Sequence, residues 1–176
     1  MAREVMAATL RNAGTLLGTD TLTLSVTDAL DNLDTGKPQS RGNAVFNTAR
    51  MTNLGEWQAE NIALTADSLT NDGVIQSSGA LTLMLDSATA AGALHNAGTL
   101  SVGGDTTLRA VVLDNQGAIT SRGAALLDAL SLQNDGSVTA SENLTLRGNY
   151  QGSGALSSAV GTSGRSAKPS AAGQRH

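Results

Sequence analysis

The chain has 176 residues, 40% of them apolar, which allows one substantial core, but Phe46, Trp57 and Tyr150 are its only aromatics, so Leu, Val, Ile and Ala must build it. A net charge of −4, spread without a basic stripe, argues against a nucleic-acid partner, which needs clustered cations and stacking rings. Without cysteine there is no disulfide framework and no thiolate metal site, and no apolar run approaches the ~18 residues of a membrane helix, so membrane insertion is not expected.

From the N-terminus, Met1–Ala8 carries Glu4 and no long apolar run, unlike a signal peptide, and residues 1–9 read as a lead-in. A pattern then opens at Leu10-Arg11-Asn12-Ala13-Gly14-Thr15-Leu16 and closes with Leu22 and Leu24. Its key positions all fall at even offsets from Leu10, and a period of two means strand, with Arg11, Thr15, Thr19, Thr21 and Thr23 facing outward. The second copy starts at Leu30-Asp31-Asn32 but has Asp34 where Gly is due, and its polar stretch Thr35 to Asn43, with Gly36, Pro38 and Gly42, reads as an excursion from the repeat. Met51-Thr52-Asn53-Leu54-Gly55 restores the motif, with Ile62 and Leu64 one residue early, which implies a shortened corner.

Leu69-Thr70-Asn71-Asp72-Gly73 follows, and the stretch from Met84 to Ala93 reads as a second loop or widened corner. Three copies then recur at a period of 19 residues, from Leu94, Leu113 and Leu132, each Leu-x-Asn-x-Gly-x-(Leu/Ile/Val). The repeat ends near Tyr150. Residues 151–176, rich in Gly, Ser and Ala, read as a disordered tail.

One copy cannot fold alone, because a few apolar side chains, at roughly 1.5–3 kcal/mol each, do not offset ordering ~20 residues of backbone at roughly 1–2 kcal/mol each. Stacked copies can, since each coil pairs its backbone with those above and below. The expected fold is all-β: a right-handed parallel β-helix of about seven coils over residues 10–150, the hand being that of the fold type. Asn12, Asn32, Asn53, Asn71, Asn96, Asn115 and Asn134 form one column, where amides hydrogen-bonded along the axis would make a structural ladder. Gly14, Gly55, Gly73, Gly98, Gly117 and Gly136 mark the following turn, serving either a positive φ or a corner too tight for a Cβ. A leucine-rich repeat would space Leu by three and then two, which this motif does not do.

The Leu-x-Asn-x-Gly-x-(Leu/Ile/Val) copies between Leu10 and Leu146 resemble the haemagglutinin repeats of filamentous haemagglutinin-type exoproteins, which include adhesins and the stalks of contact-dependent growth inhibition toxins. The resemblance implies export by two-partner secretion through an outer-membrane transporter and a β-helical fibre that is secreted or held at the cell surface. Its implied partners are a receptor or glycan on a host or neighbouring cell. No export signal or secretion domain is seen before the repeats, so the chain reads as an internal or truncated segment of a larger protein.

Catalytic, cofactor and metal sites are not expected. His95 lies between two inward positions and reads as solvent-exposed, and Gly103-Gly104-Asp105 reads as a turn. Asp31, Asp72, Asp114 and Asp135 flank the Asn column, and if they align on an outer ridge a polysaccharide-processing enzyme becomes an alternative to a structural or adhesive stalk. A gene remnant without independent function is the other alternative. The loop Gly36 to Gly42, with Lys37 and Arg41, is the favoured place for a specific contact, although a tolerated insertion is the plainer reading. Exposed strand edges at the two ends would favour end-to-end self-association.

Overall fold

A computed structural model describes residues 2–85, 92–158 and 161–165, and every regular element among them is a β-strand. All strand pairs are parallel and form two sheets, one of eleven strands and one of eight. The register carries Ala2 onto Thr21, Asn43 and Asn61 in successive layers, which divides the chain into stacked turns. Coils 1 to 7 span residues 2–20, 21–42, 43–60, 61–79, 80–104, 105–123 and 124–142, and coil 8 begins at Asn143. The eight strands of the smaller sheet, one per coil, make this a parallel β-solenoid of about eight turns, roughly 38 Å long at ~4.8 Å per coil.

Each coil has three faces. In coil 2 the long strand Thr21–Asn32 supplies two of them, bending where its register slips between Val26 and Ala29. Coil 4 breaks the same path into Asn61–Thr65 and Ser68–Asn71, so the bend is a corner shared by the stack. The third face is the smaller sheet, as in Thr99–Val102 and Ala118–Ser121. Alternation puts every second side chain inside. Leu22, Leu24, Leu64, Leu83, Leu108 and Leu127 are fully buried, and their stacked aliphatic columns fill the interior. Two of the three large aromatic exceptions, Phe46 and Trp57, share coil 3 and stack on each other across the core, ring centroids 3.9 Å apart and 5° from parallel.

The structure corrects three readings of the sequence. The stretch from Thr35 to Asn43 does not leave the solenoid: Lys37–Ser40 is the third-face strand of coil 2, with Pro38 buried in register with Leu16. The extra residues sit just before it, and Gly36, four positions after Asn32 rather than two, takes the place of the motif glycine: its carbonyl accepts the Glu56 N–H of the next coil. Pro38 has no N–H to give the backbone ladder, and the pairing of Lys37–Ser40 with Glu56–Ala59 is reduced to Gln39 with Gln58. Residues 1–9 are no separate lead-in, since strand Ala2–Asn12 pairs with Thr21–Asn32 from Ala2 onward.

The tail begins later than expected. Leu132 pairs with Tyr150 and Val138 with Leu156, so Tyr150-Gln151-Gly152-Ser153-Gly154-Ala155-Leu156 is an eighth copy disguised by Tyr for Leu and Gly for Asn. Gly161–Arg165 then pairs with Asn143–Gln151, because main-chain pairing needs no large side chain. The rest of the expected tail, residues 159–160 and 166–176, and residues 86–91 of the corner expected from Met84 to Ala93 lie outside the described residues.

Candidate functional site

The seven asparagines stand at the C-terminal end of the second-face strands, where the chain turns toward the third face. All seven side chains are buried, from 0% to 7% exposed. Each amide Nδ2 donates to the Oδ1 of the next: Asn12 to Asn32 at 2.9 Å, then Asn53, Asn71, Asn96, Asn115 and Asn134, each at 2.8 Å. The second Nδ2 proton reaches a main-chain carbonyl at the start of the next coil's third-face strand, such as Thr99 from Asn71, Ala118 from Asn96 and Ser137 from Asn115. Both amide protons and the amide oxygen therefore have partners, which is what makes burial of so polar a column tolerable. The bonds all point the same way, donor toward the C-terminal coils.

Beside this column the glycines stack too. A Cβ on Gly73, Gly98, Gly117 or Gly136 would lie 2.0–2.1 Å from the carbonyl oxygen of the motif glycine one coil earlier, and on Gly55 it would lie 2.4 Å from that of Gly36. The reason for glycine is this contact between coils and not a positive φ, which among the described glycines occurs only at Gly148 and Gly152. At Gly14, in the first described coil, a Cβ would meet nothing within 4 Å.

The four aspartates do not form a ridge. Asp31 and Asp114 share the column between the inward Leu and Asn, but Thr52, Thr70 and His95 separate them, a distance of roughly 19 Å at the coil rise. Asp72 and Asp135 occupy a different column beyond the Asn, three coils apart. The set is therefore split between two columns and does not align along the axis. Asp135 instead accepts Gln133 Nε2 at 2.9 Å and Ser153 N–H at 3.1 Å, which hold its carboxyl below the usual carboxylate range. His95 is exposed, with Nδ1 3.3 Å from Asp114 Oδ2. Among the described residues no three His, Cys, Asp or Glu side chains gather as a metal site, and no helix is long and apolar enough to cross a membrane.

Sequence reasoning missed the far end of the ladder. In coil 8, Gly152 stands in the Asn column, and the hydroxyl of buried Tyr150 accepts Asn134 Nδ2 at 3.4 Å. Burial, followed by the charge of Asp135, raises the Tyr150 pKa against the lowering effect of the Asn134 bond. The spacing of Gly154 and Leu156 was the available signal, since the two sit where the motif places its Gly and last apolar residue.

No protein-family profile matches the chain, and no solved structure matches it. Three curated proteins do. One is named Deoxyribonuclease CdiA, of Dickeya dadantii strain 3937, 50% identical over 82 residues, or 47% of this chain. The others, both 35% identical over 79 residues, or 45% of the chain, are Toxin CdiA of Escherichia coli and tRNA nuclease CdiA of E. coli strain NC101. Each matched stretch is 2% of the relative's own length. The chain is thus similar to CdiA proteins over just under half its length, and its in-phase Asn-x-Gly repeat and parallel β-solenoid are consistent with a segment of that type.

Proposed function

We propose that these residues act as a rigid, non-enzymatic spacer in an exported bacterial exoprotein, holding a cargo or contact region away from the cell surface. The observation that supports this most is the unbroken run of side-chain bonds from Asn12 to Asn134, which ties seven coils into one rod. A rod of stacked coils changes length by whole coils without changing its cross-section. The nuclease activities in the relatives' names belong to proteins of which the matched stretch is 2%. Export through an outer-membrane transporter and contact with a neighbouring cell follow from the same kinship. The ladder asparagines and turn glycines serve the rod and touch no substrate.

Replacing an equal number of coils in the Dickeya dadantii relative with residues 2–142 tests the spacer role. Surface display and inhibition of target cells should persist, and loss of inhibition with display intact would refute an inert spacer. Purified protein incubated with duplex DNA and with tRNA should leave both intact, and cleavage of either would restore an enzymatic reading.

A further inference from the structure

A trough runs along the corner that follows the third face. Two adjoining hollows form it, of about 260 Å³ over coils 2 to 4 and about 420 Å³ over coils 4 to 6, and Gln76 and Ser78 line both. One wall is an outer column of the third face, Gln58, Gln76, Ser101 and Thr120 in register. The other is the turn itself, where Arg41, Glu60, Ser78, Gly103 and Arg122 each follow the inward residue that closes the strand, and all five are exposed. Long side chains stand at the two ends and the middle is bare. Ser78 is short there, and at Gly103 a Cβ would lie 2.3 Å from the Ser78 carbonyl oxygen.

The lining is rich in unspent hydrogen-bonding groups. Among the described residues the side chains of Arg41, Glu60, Ser78, Ser101, Thr120 and Arg122 have no hydrogen-bond or ion-pair partner, and Gln76 uses only its Oε1, which accepts Gln58 Nε2 at 3.4 Å. The main chain is already spent from coil to coil, as in Ser78 N–H to Ala59, Gly103 N–H to Ser77 and Arg122 N–H to Val102. An occupant lying along the trough is therefore held by side chains alone. An extended peptide, at ~3.3 Å per residue, falls out of step with the ~4.8 Å coil rise, and a nucleic acid finds neither clustered cations nor rings to stack on. A polyanion meets Glu60 one coil from Arg41 and a chain of net charge −4. An uncharged, hydroxyl-rich chain meets none of these obstacles. The amides and hydroxyls of the lining both donate and accept, as sugar hydroxyls do, and a pyranose ring in an extended glycan advances by nearly one coil. We propose that the trough binds a linear neutral glycan, with about four sugar rings between Arg41 and Arg122, which lie four coil rises or ~19 Å apart. Gln76 and Arg122 hold ring hydroxyls at its middle and far end. The site needs the fold and not the spacer role.

The test is to titrate the isotope-labelled whole chain with cellohexaose, laminarihexaose, maltohexaose and mannohexaose, and separately with glucose and hexagalacturonate, following backbone amide resonances. At least one neutral hexasaccharide should shift residues 76–78, 101–103 and 120–122 to saturation, about tenfold or more tighter than glucose, with no change between low and high salt. Gln76→Ala combined with Arg122→Ala should weaken that binding by about tenfold or more at an unchanged melting midpoint, since both side chains are exposed. His95→Ala, on the second face, should leave it unaltered. Failure of every neutral hexasaccharide to shift these residues by about 10 mM would overturn the site. So would shifts produced by hexagalacturonate alone and abolished by salt, or full binding by the folded double variant.

Discussion

The two turns that flank the third face solve the same problem in opposite ways. Before it, the ladder satisfies each buried amide with the neighbouring coil, so every copy must carry the same residue. After it, the inward position is Gly18, Ser40, Ala59, Ser77, Val102, Ser121 and Ala140 in successive coils. A serine there is served by backbone alone: Ser77 Oγ lies 2.7 Å from the carbonyls of Glu60 and Ala80, and Ser121 Oγ lies 2.8 Å from that of Gly104. Polar groups that bond sideways to backbone can be exchanged one coil at a time, whereas groups that bond to their own kind cannot. Strictness of sequence here reports the identity of the partner, not the depth of burial, because Ser121 and Asn115 are both 0% exposed.

The sharpest way to break this contrast is at the glycines of the strict turn. Gly117→Ala, with a Cβ 2.0 Å from the Gly98 carbonyl, should cost about 3 kcal/mol in urea denaturation, since coils 5 and 6 must part to admit it. Gly14→Ala, the same change at the same motif position with nothing within 4 Å of the added Cβ, should stay within about 0.5 kcal/mol. Equal losses would mean that the motif glycines are selected for local turn conformation. Next, Asn96→Leu removes the rungs to Asn71 and Asn115 and should cost at least about 2 kcal/mol, with Asn115 Oδ1 left unpaired. His95→Ala beside it should fall within about 0.5 kcal/mol.

Ser121→Ala belongs lower on the scale, at about 1 kcal/mol, because only one coil's local bonds are lost. If it matched Asn96→Leu, the two turns would not differ in kind. The smallest effect is confined to alkaline solution. The folded Tyr150 pKa is raised, so its contribution to stability is complete below the unfolded value of about 10 and is lost as pH rises through the folded one. Absorbance near the phenolate band should therefore report ionisation of the only tyrosine above the usual range. Tyr150→Phe should remove that part of the alkaline loss, and an ordinary titration would place the hydroxyl in water.

This contrast also sets what could be read from residues alone. The Asn-x-Gly turn was visible because its chemistry acts between copies and repeats with them, and period-two alternation around it was enough to identify strands. From sequence Lys37–Ser40 reads as a loop because Pro and Gly there signal a local break, while the information that Pro38 faces inward lies in the register with Leu16. Coil 8 was hidden for a related reason: Tyr150 fills the core in place of Leu, and its hydroxyl takes the ladder proton that an Asn would have taken, so neither residue type matched its column. The serine corner gave no repeating signal because its partners are main chain. The role of the motif glycines was open between two causes until the spacing of adjacent coils was known.

Phe46 and Trp57 lie in coil 3 and Tyr150 in coil 8, and the chain has no other aromatic residue. The molecule thus carries two spectroscopic reporters near opposite ends of its stack, an indole stacked on a phenyl ring and a lone phenol. A linear array held by nearest-neighbour contacts can unravel from one end or melt as a block. Following tryptophan emission and tyrosine absorbance in the same denaturation would show which, with no label attached: coincident curves for a block, and separated curves for a chain that peels.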